Sequence, residues 1–388
     1  MKLVVLFFMA SLLATVSATA QDYSQLGWPR TLTELYKQLE AKEKNFFIII
    51  SRLPSQPIDF RTNQGMHDSL NSIAFQKNYH PGHKMMGWKC RINGAPFETM
   101  LGMSGETTDQ HEVLLENGWG LTSLLATFKD GFIQTPEELE NRFEFFMEEN
   151  KMADDEGKKR PIFLVATVIE ISEVDCENLV NESFEFFSHP NNPAENFSLI
   201  LSPDKYEGGG CGSFVAHFMK QITSLKPLIP FFRRQLRLPN YLFGTGTALP
   251  DDVEIPDRIK QIASPGPVSK LKLITSLWNS STSSNLSVEI LDPEHVVFWQ
   301  KLFFETYFDR NSWTKEKKSF NKLVARGVWQ RTEDTALSEN GANVYIPIDR
   351  NYDPRLEAIY RLQSQLVENM KLTYFTFSNF PGMILEKK

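Results

Sequence analysis

GHKMMGWKCRINGAPFETMLGMSGE (residues 82–106) consists of two runs joined by Asn93-Gly94, the dipeptide that most strongly specifies a two-residue hairpin turn. With those two residues as the loop, Ile92 pairs with Ala95 and the register follows outward. Lys84, Met86, Trp88, Cys90 and Ile92 then share a face with Ala95, Phe97, Thr99, Leu101 and Met103. That set is mostly apolar and predicts a core surface, which makes Cys90 a packing residue. The opposite face carries His83, Met85, Gly87 and Lys89 beside Glu98, Met100, Gly102 and Ser104, with room for a helix against it. In this register Ser104 lies across from His83 and Glu106 is its diagonal neighbour. Either can hydrogen-bond an imidazole nitrogen and fix its tautomer. A slip of one residue would undo the assignment.

Outward from the hairpin the pattern is mixed α and β. Thr31–Lys44 predicts a helix with Leu32, Leu35, Tyr36 and Leu39 on one face, and 45–52 a buried strand. Pro136 to Glu149 predicts a helix with a Leu139, Phe143, Phe146 stripe. Residues 160–172 predict a second buried strand, and Ser172 to Asp175 the acidic cap of a helix running to about Phe187. A short strand is expected over 196–201. Residues 226–250, rich in Pro, Arg and aromatics, read as an extended arm. Near the C-terminus a helix is expected from Pro354 to Met370, flanked by strands at 343–348 and 372–377.

YEGGGCGSFVAHFMKQ (206–221) puts Cys211 after a glycine run and on the first turn of an amphipathic helix. Unpaired N–H groups and the helix dipole favour a thiolate at such a position. Cys211 is therefore the candidate nucleophile and His83 the candidate base, with Ser104 or Glu106 as the residue that orients the ring. His80 is a second candidate base. His217 lies past the first turn and reads as packed or solvated, and His111 as surface.

A histidine opening a strand after a glycine, followed much later by a cysteine starting a helix with an apolar continuation, resembles the permuted papain-like superfamily. This group includes permuted NlpC-type and lecithin:retinol acyltransferase-like proteins. The resemblance covers roughly residues 45–225. It implies an α+β fold: a papain-like core with an antiparallel sheet and a nucleophile-bearing helix, circularly permuted so that His precedes Cys. It also implies an insertion near 134–159, and it places the third polar residue near 94–97, where Glu98 is the closest polar side chain. The expected organisation is a leader over 1–20, the papain-like domain over 21–225, and a C-terminal extension or second α/β subdomain over 226–388.

Met1-Lys2, the apolar run from Leu3 and the small-x-small pattern Ala18-Thr19-Ala20 form a secretory signal layout. The protein is thus expected to be exported, periplasmic or secreted. The apolar run is shorter than the roughly 20 residues of a membrane span, so stable membrane insertion is not expected. A chain with 48 acidic and 41 basic residues, net −7, is a poor binder of nucleic acid. Neither Cys-x-x-Cys nor His-Glu-x-x-His occurs, so no metal or cofactor is expected. Three cysteines, Cys90, Cys176 and Cys211, allow at most one disulfide.

These features predict an exported thiol hydrolase or acyltransferase that acts on an amide, peptide or ester. Its partner would be a cell-wall peptide, a lipid or a protein. The alternative is a non-catalytic secreted or envelope protein that uses the same fold as a binding scaffold. A third option bridges Cys211 to Cys176 or Cys90 in a disulfide-stabilised domain.

Overall fold

The computed structural model describes residues 27–53, 58–60, 62–74, 82–104, 108–129, 132–155, 163–278, 285–311, 354–377 and 380–388. Apart from one- and two-turn helices, the elements begin with α1 (Thr33–Glu40), β1 (Phe46–Leu53), α2 (Asn63–Ala74), β2 (His83–Ile92), β3 (Ala95–Ser104) and α3 (Thr108–Glu116). There follow β4 (Thr127–Phe128), β5 (Phe132–Gln134), α4 (Pro136–Asp155), β6 (Phe163–Glu170), α5 (Glu173–Ser188), α6 (Cys211–Met219) and β7 (Arg233–Pro239). The chain closes with β8 (Val253–Glu254), β9 (Asn285–Leu291), α7 (Pro293–Asn311), α8 (Pro354–Glu368), β10 (Met370–Phe377) and β11 (Phe380–Lys387). The leader, Glu106, His80 and the strand expected at 343–348 lie outside the described residues.

Asn93 and Gly94 take φ of 50° and 80°, the left-handed pair that a type I′ turn needs and that Asn-Gly tolerates best. The resulting β2–β3 register runs from Ile92↔Ala95 to Met85↔Gly102, as the sequence predicts. Seven strands form one sheet in the order β10-β11-β6-β1-β2-β3-β5. Every pairing is antiparallel except β11 with β6. The protein is therefore a mixed α/β structure with a mostly antiparallel sheet, compatible with the α+β class. The central strand, FFIIISRL, is apolar at consecutive positions because both of its faces are covered.

The two faces carry separate cores. Phe47, Ile49, Met86, Trp88, Cys90, Leu101 and Met103 pack with residues of α5, α6, α7 and α8. The rings of Trp88 and Phe218 lie 5.8 Å apart. The alternate residues Phe46, Ile48, Ile50, Met85 and Met100 pack with Leu35 and Leu39 of α1 and Leu139 and Phe143 of α4. Residues expected to belong to an insertion thus supply the helix that closes the second face. Gly87 is required where β2 meets β3, because a Cβ there would overlap Met100 Sδ and the Thr99 carbonyl.

Cys90 bonds to Cys176 with a Cα–Cα distance of 5.8 Å, fastening β2 to α5, and Cys211 is free. This corrects the option of a bridge to Cys211. It also gives Cys90 a covalent role in addition to packing. Ser172 and Asp175 form the expected capping box at the start of α5. Asp175 also accepts bonds from Thr223 N–H (2.9 Å) and Oγ1 (2.8 Å), which ties that helix start to the turn after α6.

Two expectations change. Residues 226–250 are not an arm: β7 pairs with β9 along its whole length, and Leu236 and Leu238 are buried in a further core with Phe128, Leu242 and Trp278. Residues 196–201 form no strand, since Phe197 alone bridges to Phe128 and to Gly209 before the chain turns away. The C-terminal β11 lies beside β6 in the main sheet, and the further core draws on residues from both sides of 225–226.

Candidate functional site

Cys211 is the first residue of α6, with Gly210 in extended conformation as its N-cap. Ser213 Oγ accepts the Gly210 N–H (2.9 Å) and returns a bond to the Gly210 carbonyl (3.0 Å), which closes the first turn. Gly208 takes φ +119° against the backbone of Asn196, where any side chain would be strained and blocked. The glycine run is thus built into the loop rather than loose, and it delivers a half-buried free thiol at the helix start.

Of the expected partners of that thiol, His83 and Ser104 are among the described residues. α6 rests on the Met86 and Trp88 face of the sheet. His83 alternates with Met85, Ser104 with Met100, and both therefore belong to the face covered by α1 and α4. His83 and Ser104 do share a face and one end of the sheet, as the register implies. The polar side chains on α6's own face at that end are Ser51 and Lys84, cross-strand partners and both buried. Glu98 accepts from Tyr36 Oη (2.7 Å) and lies 3.5 Å from buried Lys89. Burial and this bond to Glu98 push the Tyr36 phenol up to about 12.

A polar cluster that the sequence reading passed over lies on the other side of α6. His217 is only 5 % exposed, with Nδ1 at 2.9 Å from Asp204 Oδ1 and Nε2 at 2.8 Å from Glu182 Oε1. Tyr206 Oη donates to the same Glu182 oxygen (3.1 Å). Asp204 also takes Lys220 Nζ and, at 2.6 Å, the Arg233 guanidinium, which pairs in turn with Glu289 (2.7 Å). Burial opposes charging the His217 ring, but hydrogen bonds and charge from Asp204 and Glu182 outweigh it and raise its pKa. Burial likewise opposes ionisation of both carboxyls. His217, Lys220 and Arg233 nevertheless hold Asp204 well below the usual range, and His217 and Tyr206 hold Glu182 below it. The cluster sets the His217 ring between two carboxylates, an arrangement that favours its charged form, and joins α5, α6, β7 and the 203–206 turn. Its sequence signal was weak: a histidine on an apolar helix face needs partners, but those partners are remote in the chain.

His111 is also corrected. It packs against Phe128 with ring centroids 4.5 Å apart, and burial lowers its pKa. Beside the His217 cluster a cleft of about 260 Å³ lies between the 199–207 segment, β9 and the Ser213–Ala216 flank of α6. Among the described residues no helix is long and apolar enough to cross a membrane. No group of three or more His, Cys, Asp or Glu among them is placed to hold a metal ion.

No family model, known protein or solved structure matches this chain. The geometry of the site therefore carries the functional argument.

Proposed function

We propose that this chain is an exported, disulfide-stabilised binding protein that uses a permuted papain-like α+β core as a scaffold, with the cleft beside α6 as its ligand site. Strand alternation carries this reading. It turns His83 and Ser104 to the sheet face opposite α6, and the one imidazole on α6 is held by two carboxylates. Among the described residues, strand alternation sets the expected base on the other face from the thiol, which is not the arrangement that nucleophilic catalysis needs. The leader pattern and a Cys90–Cys176 bridge suit an oxidising compartment.

The half-buried thiol at the start of α6 and the shared sheet end favour a second reading, a thiol hydrolase or acyltransferase acting on an amide, peptide or ester. Iodoacetamide labelling of Cys211 between about pH 5 and pH 9 separates the two, because the nucleophilic form is the thiolate. The binding reading expects identical labelling profiles for wild type and His83→Ala. Labelling that depends on His83 refutes it and restores the dyad.

A further inference from the structure

Two walls of the cleft are backbone edges rather than side-chain faces. All six residues from Leu286 to Leu291 line it, those aimed into the further core and those aimed away alike. Only a strand seen edge-on presents both sets. Among the described residues β9 pairs with β7 alone. The phase of that ladder is set by Asp292, whose N–H donates to the Phe232 carbonyl (2.8 Å). With Arg233 opposite Leu291, antiparallel alternation assigns the β7 hydrogen bonds to Ile290, Val288 and Leu286. The N–H and C=O groups of Ser287, Glu289 and Leu291 then point outward.

The opposite wall is Leu199 to Lys205. Its Ile200 N–H reaches Ser198 Oγ (3.4 Å), the Ile200 carbonyl accepts from Arg258 (3.0 Å), and Ser202 N–H donates to Glu207 (3.1 Å). The main-chain groups of Leu199 and Leu201, at alternate positions, engage no protein group among the described residues. The cleft is therefore bordered on both sides by backbone donors and acceptors, over a floor that includes the small residues Ser213 and Ala216. The lining carries Asp204, Glu207 and Glu289 beside Lys205, Arg233 and Arg258. Arg233 is paired with Asp204 and Glu289, and Glu207 accepts the Ser202 N–H, whereas exposed Lys205 and Arg258 have no carboxylate partner among the described residues.

We propose that an extended peptide segment of a partner protein, carrying apolar and acidic side chains, enters this cleft and adds a strand to the outward edge of β9. Its carboxylates meet Lys205 and Arg258. Strand addition of this kind draws affinity from main-chain bonds and specificity from alternate side chains, and it covers an edge that would otherwise stay open. The inference rests on the binding reading above and names the ligand class of that same cleft.

The test uses the full chain and a labelled probe, acetyl-Thr-Val-Glu-Val-Thr-Val-Glu-Val-amide, followed by fluorescence anisotropy. Saturable binding is expected below about 1 mM. Three changes should each weaken it at least about tenfold: N-methylation of alternate probe amides, Glu to Lys in the probe, and Glu289→Pro in the protein. That proline removes one outward N–H and leaves the β7 ladder intact. Amide exchange at Ser287 and Glu289 should slow when the probe is added. If Glu289→Pro fails to fold, the modified probes and the exchange measurement decide on wild-type protein. Absence of saturable binding, equal affinity for the N-methylated probe, or protection that misses β9 overturns the proposal. Probe failure with His83-independent labelling of Cys211 refutes this occupant alone, whereas His83-dependent labelling refutes the underlying binding reading.

Discussion

Replacing His217 with Gln should remove a pH-dependent contribution to stability. The ring makes two charge-assisted bonds, at 2.8 and 2.9 Å, from a site that is only 5 % exposed. Hydrogen bonds to charged groups contribute about 1.5–3 kcal/mol each. Glutamine keeps one donor, Lys220 and Arg233 remain on Asp204, and Tyr206 remains on Glu182, so the net loss near pH 6 should be roughly 2–4 kcal/mol. Because the folded pKa of His217 is raised, its electrostatic contribution is fully present below the unfolded value of about 6.5. It disappears as pH rises through the folded value. Urea unfolding from about pH 5 to pH 9 should therefore show a wild-type advantage that is constant below about 6.5 and then shrinks, by at most about 1.4 kcal/mol per pH unit. Lost packing against Phe186, Tyr206 and Phe218 adds an offset that does not vary with pH. An advantage that stays constant from about pH 6 to pH 9 would refute an imidazolium in this cluster.

Opening the Cys90–Cys176 bridge, which joins residues 86 positions apart, should cost roughly 4–5 kcal/mol on the chain-entropy account. Unfolding free energies from urea titrations of wild type and of Cys90→Ala/Cys176→Ala should differ by that amount. Gly87→Ala should cost roughly 3 kcal/mol by overpacking, because the new methyl overlaps Met100 and the Thr99 carbonyl on the neighbouring strand; an unchanged thermal midpoint would contradict the sheet register. Asp175→Ala removes the α5 capping box and both bonds from Thr223, for an expected loss of roughly 2–4 kcal/mol. Burial opposes ionisation of Asp175, but its bonds from Thr223 and Ser172 hold the carboxyl below the usual range. Its contribution is thus present above about pH 4 and fades as pH falls through the folded value, so the variant's deficit should narrow in acid.

The elements that the sequence determined by itself are those whose signals are local. Asn93-Gly94 fixed a turn and, through it, the register from Ile92↔Ala95 to Met85↔Gly102. The Ser172/Asp175 box started α5, and the glycine run placed Cys211 at the head of α6, because backbone conformation and capping depend on residues a few positions apart. Binary alternation also divided β2 correctly into the Met86, Trp88, Cys90 face and the Met85 face.

What alternation cannot say is which helix covers which face. Packing answered it, since the apolar side of α6 fits Trp88 and the disulfide holds α5 on the same side. The addition of β11 beside β6, the β7–β9 ribbon and the His217 cluster also join segments far apart in the chain. Each depends on burial and pairing energies that exist only once those segments are in contact. A lone histidine on an apolar helix face reads as filler until Glu182 and Asp204 arrive from elsewhere in the fold to charge it.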